Sequence, residues 1–92
     1  TTLISLDLTN VLIGDIGAAL LAKSKTLKEA MLIQCSIGDG GAMALSENSS
    51  IIKLVLLNNR IKDPGADALA KNNHFVYLCL KSNPISISAL QL

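Results

Sequence analysis

The sequence predicts an α/β chain, a solenoid of four strand-turn-helix repeats with a curved parallel sheet on its concave side and short helices on its convex side. Three observations lead there. The pattern of residues returns every 24 positions, which marks a stacked repeat. Within each copy, apolar residues first fall two apart, as along a strand, and then take up helical spacing. Half of the 92 residues are apolar, yet only Phe75 and Tyr77 are aromatic, so the interior is aliphatic, as happens where many thin, similar layers are stacked. A compact globule of this length has little margin for burying a core.

Leu3, Leu27, Ile51 and Phe75 open copies spanning approximately 3–26, 27–50, 51–74 and 75–92, which together make a single domain, 1–92. Three residues on come Leu6, Ala30, Leu54 and Leu78, and two further Leu8, Leu32, Leu56 and Leu80; that spacing reads as a short strand. A turn follows through Val11, Cys35, Asn59 and Asn83 to Ile13, Ile37, Ile61 and Ile85. Next, Asp15, Asp39 and Asp63 precede Gly17-Ala18, Gly41-Ala42 and Gly65-Ala66. These are helix starts, with each aspartate expected to cap its own helix and to favour the positive end of the dipole. Pro64 suits the first helical position, where its missing N–H has no partner to lose. The helices are expected to run through Leu21, Leu45 and Leu69 and to end near Lys23, Glu47 and Lys71. Polar loops, 24–26, 48–50 and 72–74, lead back to the next strand. No single copy buries its leucines alone, so burial depends on stacking.

These blocks resemble the leucine-rich repeats of the ribonuclease-inhibitor-like type. The likeness covers nearly the whole chain and is fullest in the third copy, with Ile51, Leu54, Leu56, Asn59, Ile61 and Asp63, then Gly65, Ala66, Ala68 and Leu69. The 24-residue unit is similar to the compact version found in secreted effectors of intracellular bacteria. The resemblance implies that Asn59 and Asn83 form an asparagine ladder, whose amides satisfy turn backbone that would otherwise be buried unpaired. Cys35 stands in the same slot and reads as a buried structural thiol. The likeness further implies a protein-binding module, which in some members acts as an inhibitor by covering an enzyme's active site. The fourth copy departs from the pattern: Ile87 replaces the aspartate, Ala89 the glycine, and the sequence stops at Leu92. Either the array is truncated there or this copy is a degenerate terminal unit.

Side chains between the core leucines of each strand must project from the concave face. They are Ser5, Asp7 and Thr9; Glu29, Met31 and Ile33; Lys53, Val55 and Leu57; and Tyr77, Cys79 and Lys81. Met31, Ile33, Val55 and Leu57 form an apolar two-by-two block, with Tyr77 and Cys79 beside it and Asp7, Glu29, Lys53 and Lys81 around it. An apolar patch rimmed by charge marks a protein-binding surface. Glu29 and Lys53 share a row on adjacent strands, so they pair either with each other or with a partner. Asn10, Gln34, Asn58 and Ser82 continue the strands at the turn edge, where they either bond a partner or are solvated.

Other function classes find little support. A net charge of +1 gives no field to draw nucleic acid or an anionic membrane. The longest apolar run, Phe75 to Leu80, is far below the ~20 residues of a membrane span, and no secretory signal stands at Thr1. Two cysteines make no disulfide framework, which fits a reducing cytosol, or the host-cell cytosol for a secreted effector. The three aspartates lie one repeat apart, and Gly38, Gly40 and Gly41 lack the lysine of a phosphate loop, so neither a metal nor a cofactor is expected. Cys79 has only His74 as a possible base, ~15 Å away along extended chain, and no enzyme is expected. Leu3, Leu6 and Leu8 at one end and Leu78 and Leu80 at the other lack a polar cap, so end-to-end self-association is expected. The function expected is a protein–protein interaction module; the alternative is the recognition fragment of a larger multidomain ligase or receptor whose activity lies elsewhere.

Overall fold

A computed structural model describes residues 4–86 of the chain. It is α/β, with strand β1 (Ile4–Asp7), helix α1 (Gly14–Leu21), β2 (Leu27–Met31), α2 (Asp39–Ser46), β3 (Lys53–Val55), α3 (Asp63–Ala70) and β4 (Tyr77–Cys79). The expectations placed on Leu3, Ile87, Ala89 and Leu92, and with them the fourth helix, lie outside the described residues. The four strands form one parallel sheet in chain order. Its register carries the sequence period directly: Glu29 opposes Lys53, and Lys53 opposes Tyr77. Parallel neighbours need a crossover, and the helices supply it. Helix α1 packs on α2 and α2 on α3, while α1 does not reach α3.

The core lies between the sheet and the helices. Ala30, Leu32, Leu54 and Leu56 from the strand segments cluster with Ala18, Ala42, Leu45, Ala66 and Leu69 from the helices. The large aliphatic side chains that lose all access to water, Leu32, Ile37, Leu45, Ile51, Leu54, Leu56, Ile61 and Leu69, lie in the middle of the array. Leu6, Leu8, Leu78 and Leu80 pack against the cluster but stay partly exposed. The larger apolar exposure at the first unit is on Leu12 (77%) and Ile16 (80%).

Polar rungs tie successive units together. The Asn59 Oδ1 accepts the N–H groups of Cys35 and Ile37, while its Nδ2 donates to the carbonyls of Leu32, Leu56 and Leu57. Asn83 repeats this one unit later, accepting from Ile61 N–H and donating to Leu56, Leu80 and Lys81. Cys35, in the same slot, donates its thiol to Leu8 and Ile33 carbonyls. A second ladder runs at the loop end, where Asn48 donates to the carbonyls of Ala22 and Ser24 and accepts from Ser50 and Ile51 N–H. Asn72 donates to the Ser46 carbonyl at 2.7 Å and accepts from His74 N–H. Ser24, in the corresponding slot, accepts from Thr26 and Leu27 N–H.

Two expectations about these residues are corrected. The aspartates do not cap their own helices, none of which has a side-chain N-cap bond. Each carboxylate instead reaches the unit that follows it. Asp15 accepts from Gly38 N–H, Asp39 from Lys62 and Gly65 N–H, and Asp63 from Ser86 N–H. Asp39 thereby satisfies orphan donors at the start of α3, and Pro64 follows at the second position of that helix. The geometry allows it because Gly65 leaves room: a Cβ there would sit 2.6 Å from Asp39 Oδ1 and 3.0 Å from Ala42 Cβ. Nor do Asn10, Gln34, Asn58 and Ser82 extend the strands beyond themselves: the N–H groups of Asn10, Gln34 and Asn58 still pair with the next unit, but the chain turns there. The four residues hold φ of 66°, 57°, 62° and 60°, a left-handed step that turns the chain off the sheet.

Candidate functional site

With helices on one side only, the other face of the sheet is open. Register aligns its side chains in rows. Ser5, Glu29, Lys53 and Tyr77 form one row, and Asp7, Met31, Val55 and Cys79 the next. Backbone bonds from Asn10 to Ile33, Gln34 to Leu57 and Asn58 to Lys81 carry the sheet-like spacing onward, giving a third row of Thr9, Ile33, Leu57 and Lys81. A depression of about 620 Å³ opens on the β3–β4 half, lined by Met31, Lys53, Val55, Leu57, Tyr77, Cys79 and Lys81. Asp7, Thr9, Glu29 and Ile33 lie on the face outside it.

Val55 is a correction to the expected exposure. It is only 8% exposed, yet it is absent from the cluster that fills the interior. Val55 lies between Met31 and Cys79 in its own row and lines the depression with them, so this nearly buried side chain forms its floor. Tyr77, at 53% exposure, stands at the wall.

Charged residues on this face are already oriented. Of the two pairings left open for Glu29 and Lys53, the mutual one is not formed. Glu29 accepts a hydrogen bond from the Ser5 hydroxyl at 2.9 Å, and Lys53 places its ammonium 5.7 Å from the Tyr77 ring centroid, within the range of a cation–π contact. Among the described residues the one ion pair is Lys71–Asp67, within α3 and its cap. Asp7 accepts both the Thr9 hydroxyl and the Thr9 N–H, and these two bonds lower its pKa. Acidic groups therefore stand on β1 and β2, and basic groups on β3 and just beyond β4.

Both cysteines are free. Burial pushes the Cys35 thiol up, away from the thiolate that a nucleophile requires, whereas Cys79 is half-buried in the depression. Among the described residues, no three His, Cys, Asp or Glu side chains come together as a metal site would require. No helix among them is long and apolar enough to cross a membrane.

Alternation assigned no face to one slot that the structure shows to be open. Ile4, Lys28, Ile52 and Val76 share it at the strand starts, all of them half-buried or exposed, with Val76 at 82%. Their common 24-residue spacing was visible in the sequence; what was not visible is that the chain enters each strand here before the alternation begins. In comparisons with known proteins, no family model matches the chain and no curated protein is significantly similar to it.

Proposed function

We propose that the chain is a leucine-rich-repeat solenoid that acts as a protein–protein interaction module, holding a protein partner against the open face of its sheet. One observation carries this reading: the depression floored by Val55 and walled by Met31, Leu57, Tyr77 and Cys79, with Lys53 and Lys81 among its lining residues. Water beside such side chains is displaced favourably on docking, at about 25 cal/mol per Å² of apolar area, and an aromatic wall over an apolar floor suits the anchor side chains that dominate interfaces. The solenoid reading draws on the 24-residue register and on side-chain rungs that link each unit only to its neighbours. Inhibition of a partner enzyme is the form of this function that the family resemblance implies. It requires the partner to present its active-site rim to the same face.

Affinity capture from the source cell, with mass spectrometry of the retained protein, tests the reading. Tyr77→Asp and Leu57→Glu are the variants of choice, because a charge at Val55 would be buried and would threaten the fold. Both are expected to lose the captured partner while circular dichroism stays unchanged. Met43→Glu, on helix α2, is expected to retain it. Retention by all three variants would show that the partner sits elsewhere.

A further inference from the structure

We infer that this face is self-complementary and that the partner it fits is a second copy of this chain, docked sheet to sheet across a two-fold axis parallel to the strands. The inference rests on reading the open face as a binding surface. Such an axis, placed between β2 and β3, sets β1 of one copy over β4 of the other and β2 over β3. The strand register then fixes which residues meet. In the first row Glu29 opposes Lys53 of the other copy, and Lys53 opposes its Glu29, so that both charges are answered twice. In the second row Met31 opposes Val55, and in the third Ile33 opposes Leu57. Asp7, on β1, comes over the β4 side, where Lys81 follows one row further along. Every acidic group of the face meets a basic half, and the apolar block meets itself.

An axis across the strands lacks this property, since it would set β1 and β2 over their own copies and bring Asp7 and Glu29 against Asp7 and Glu29. Isologous contact of the first kind is the ordinary geometry of a dimer, and sheets packed face to face with aligned strands lie about 10 Å apart with interdigitated side chains. Four strands at ~4.8 Å and five residues at ~3.3 Å make a face of roughly 19 by 17 Å. That is about 320 Å² per copy, below the ~800 Å² per partner of a standard specific interface, which makes the dimer weak, concentration-dependent and sensitive to salt.

Sedimentation equilibrium of the full chain across about 10 μM to 1 mM, at low and high salt, reads the association. Glu29→Lys alone and Lys53→Glu alone each create like-charge contacts twice per dimer and are expected to weaken it about tenfold or more. An equimolar mixture of the two variants, and the double variant Glu29→Lys/Lys53→Glu, restore opposite charges at both contacts and are expected to recover most of the wild-type association. Ile16→Lys, on the exposed first helix, is expected to have no effect. Circular dichroism and thermal unfolding of each variant establish that the fold is kept. A wild-type chain that remains monomeric at 1 mM overturns the inference, as does loss of association in Ile16→Lys, which would mark contact through the ends. So does a mixture no better than its components. If the chain is monomeric while Tyr77→Asp still loses a captured protein, the open face binds a different partner and only the self-association falls.

Discussion

At the scale of single residues, the buried amides do more for the structure than any charge. Asn59 is 8% exposed and makes five hydrogen bonds, two as acceptor and three as donor. Removing the amide strands backbone groups from two successive units in a buried site, so Asn59→Ala is expected to cost about 3 kcal/mol, read from urea unfolding. Asn59→Asp should be at least as damaging, because a carboxylate would face three carbonyl oxygens without a proton to give. The aspartates act at the surface, and their contribution is pH-dependent. The Ser86 hydroxyl, and then its N–H, hold the Asp63 carboxyl below its ordinary 3.8; the Thr9 hydroxyl and N–H do the same for Asp7. Lowered folded-state values mean that the unfolded chain binds the proton first. Both groups therefore add stability above pH 3.8 that is lost as pH falls through their lowered values. Asp63→Asn should flatten this acid limb in a pH series of urea midpoints, leaving only the part due to Asp7; an unchanged limb would show that the Ser86 contact is not kept in solution.

At the scale of elements, the strands, their register and the helix ends were legible in the sequence because each is written as a period. Leu54 and Leu56 point inward for the same reason that Val55 does not. What escaped the reading is direction between units. A period of 24 places Asp39 at a helix start but cannot say whether its carboxylate turns back to its own first turn or forward to Lys62 and Gly65. Likewise Ser24, Asn48 and Asn72 share a slot that looks like polar loop, and only packing reveals it as a second ladder. The depression was legible as a set of outward residues; its floor was not, since alternation assigns a face but not how far neighbours such as Met31 and Cys79 cover Val55. The forward reach of Asp39 explains the glycine opposite it. Gly65→Ala would bring a methyl against Asp39 Oδ1 at 2.6 Å and Ile61 Cγ2 at 2.9 Å, forcing α3 away from α2 or Asp39 away from its donors. Despite alanine's better helix propensity, the variant is expected to lose about 1–3 kcal/mol, measured as a fall in the urea midpoint. A gain would mean that the helices have slack to separate.

At the scale of the whole molecule, stability is graded along the array because each unit is buried only by its neighbours. The large side chains with no access to water all fall between Leu32 and Leu69, in the second and third units. Their counterparts Leu6, Leu8 and Ile13 in the first unit, and Leu78, Leu80 and Ile85 in the fourth, stay partly exposed. Opening an end unit therefore exposes less apolar surface than opening a middle one, and breaks rungs on one side only, so local unfolding starts at the ends. Native-state hydrogen exchange reads this gradient. Among the amides of the strand segments, that of Leu32, bonded to Val55, is expected to exchange only with global unfolding. Those of Leu8, bonded to Met31, and Val76, bonded to Ile52, should exchange about a hundredfold faster or more, a difference of about 2.7 kcal/mol. The same gradient bears on the open face of the sheet, since Tyr77, Cys79 and Lys81 belong to the outer side and Met31 and Val55 to the middle. A bound protein or second copy spanning β1 to β4 would be held by both, and it should slow exchange most at the two ends. Uniform protection across all four strands in the unbound chain would contradict the graded array and locate its stability in contacts other than those between adjacent units.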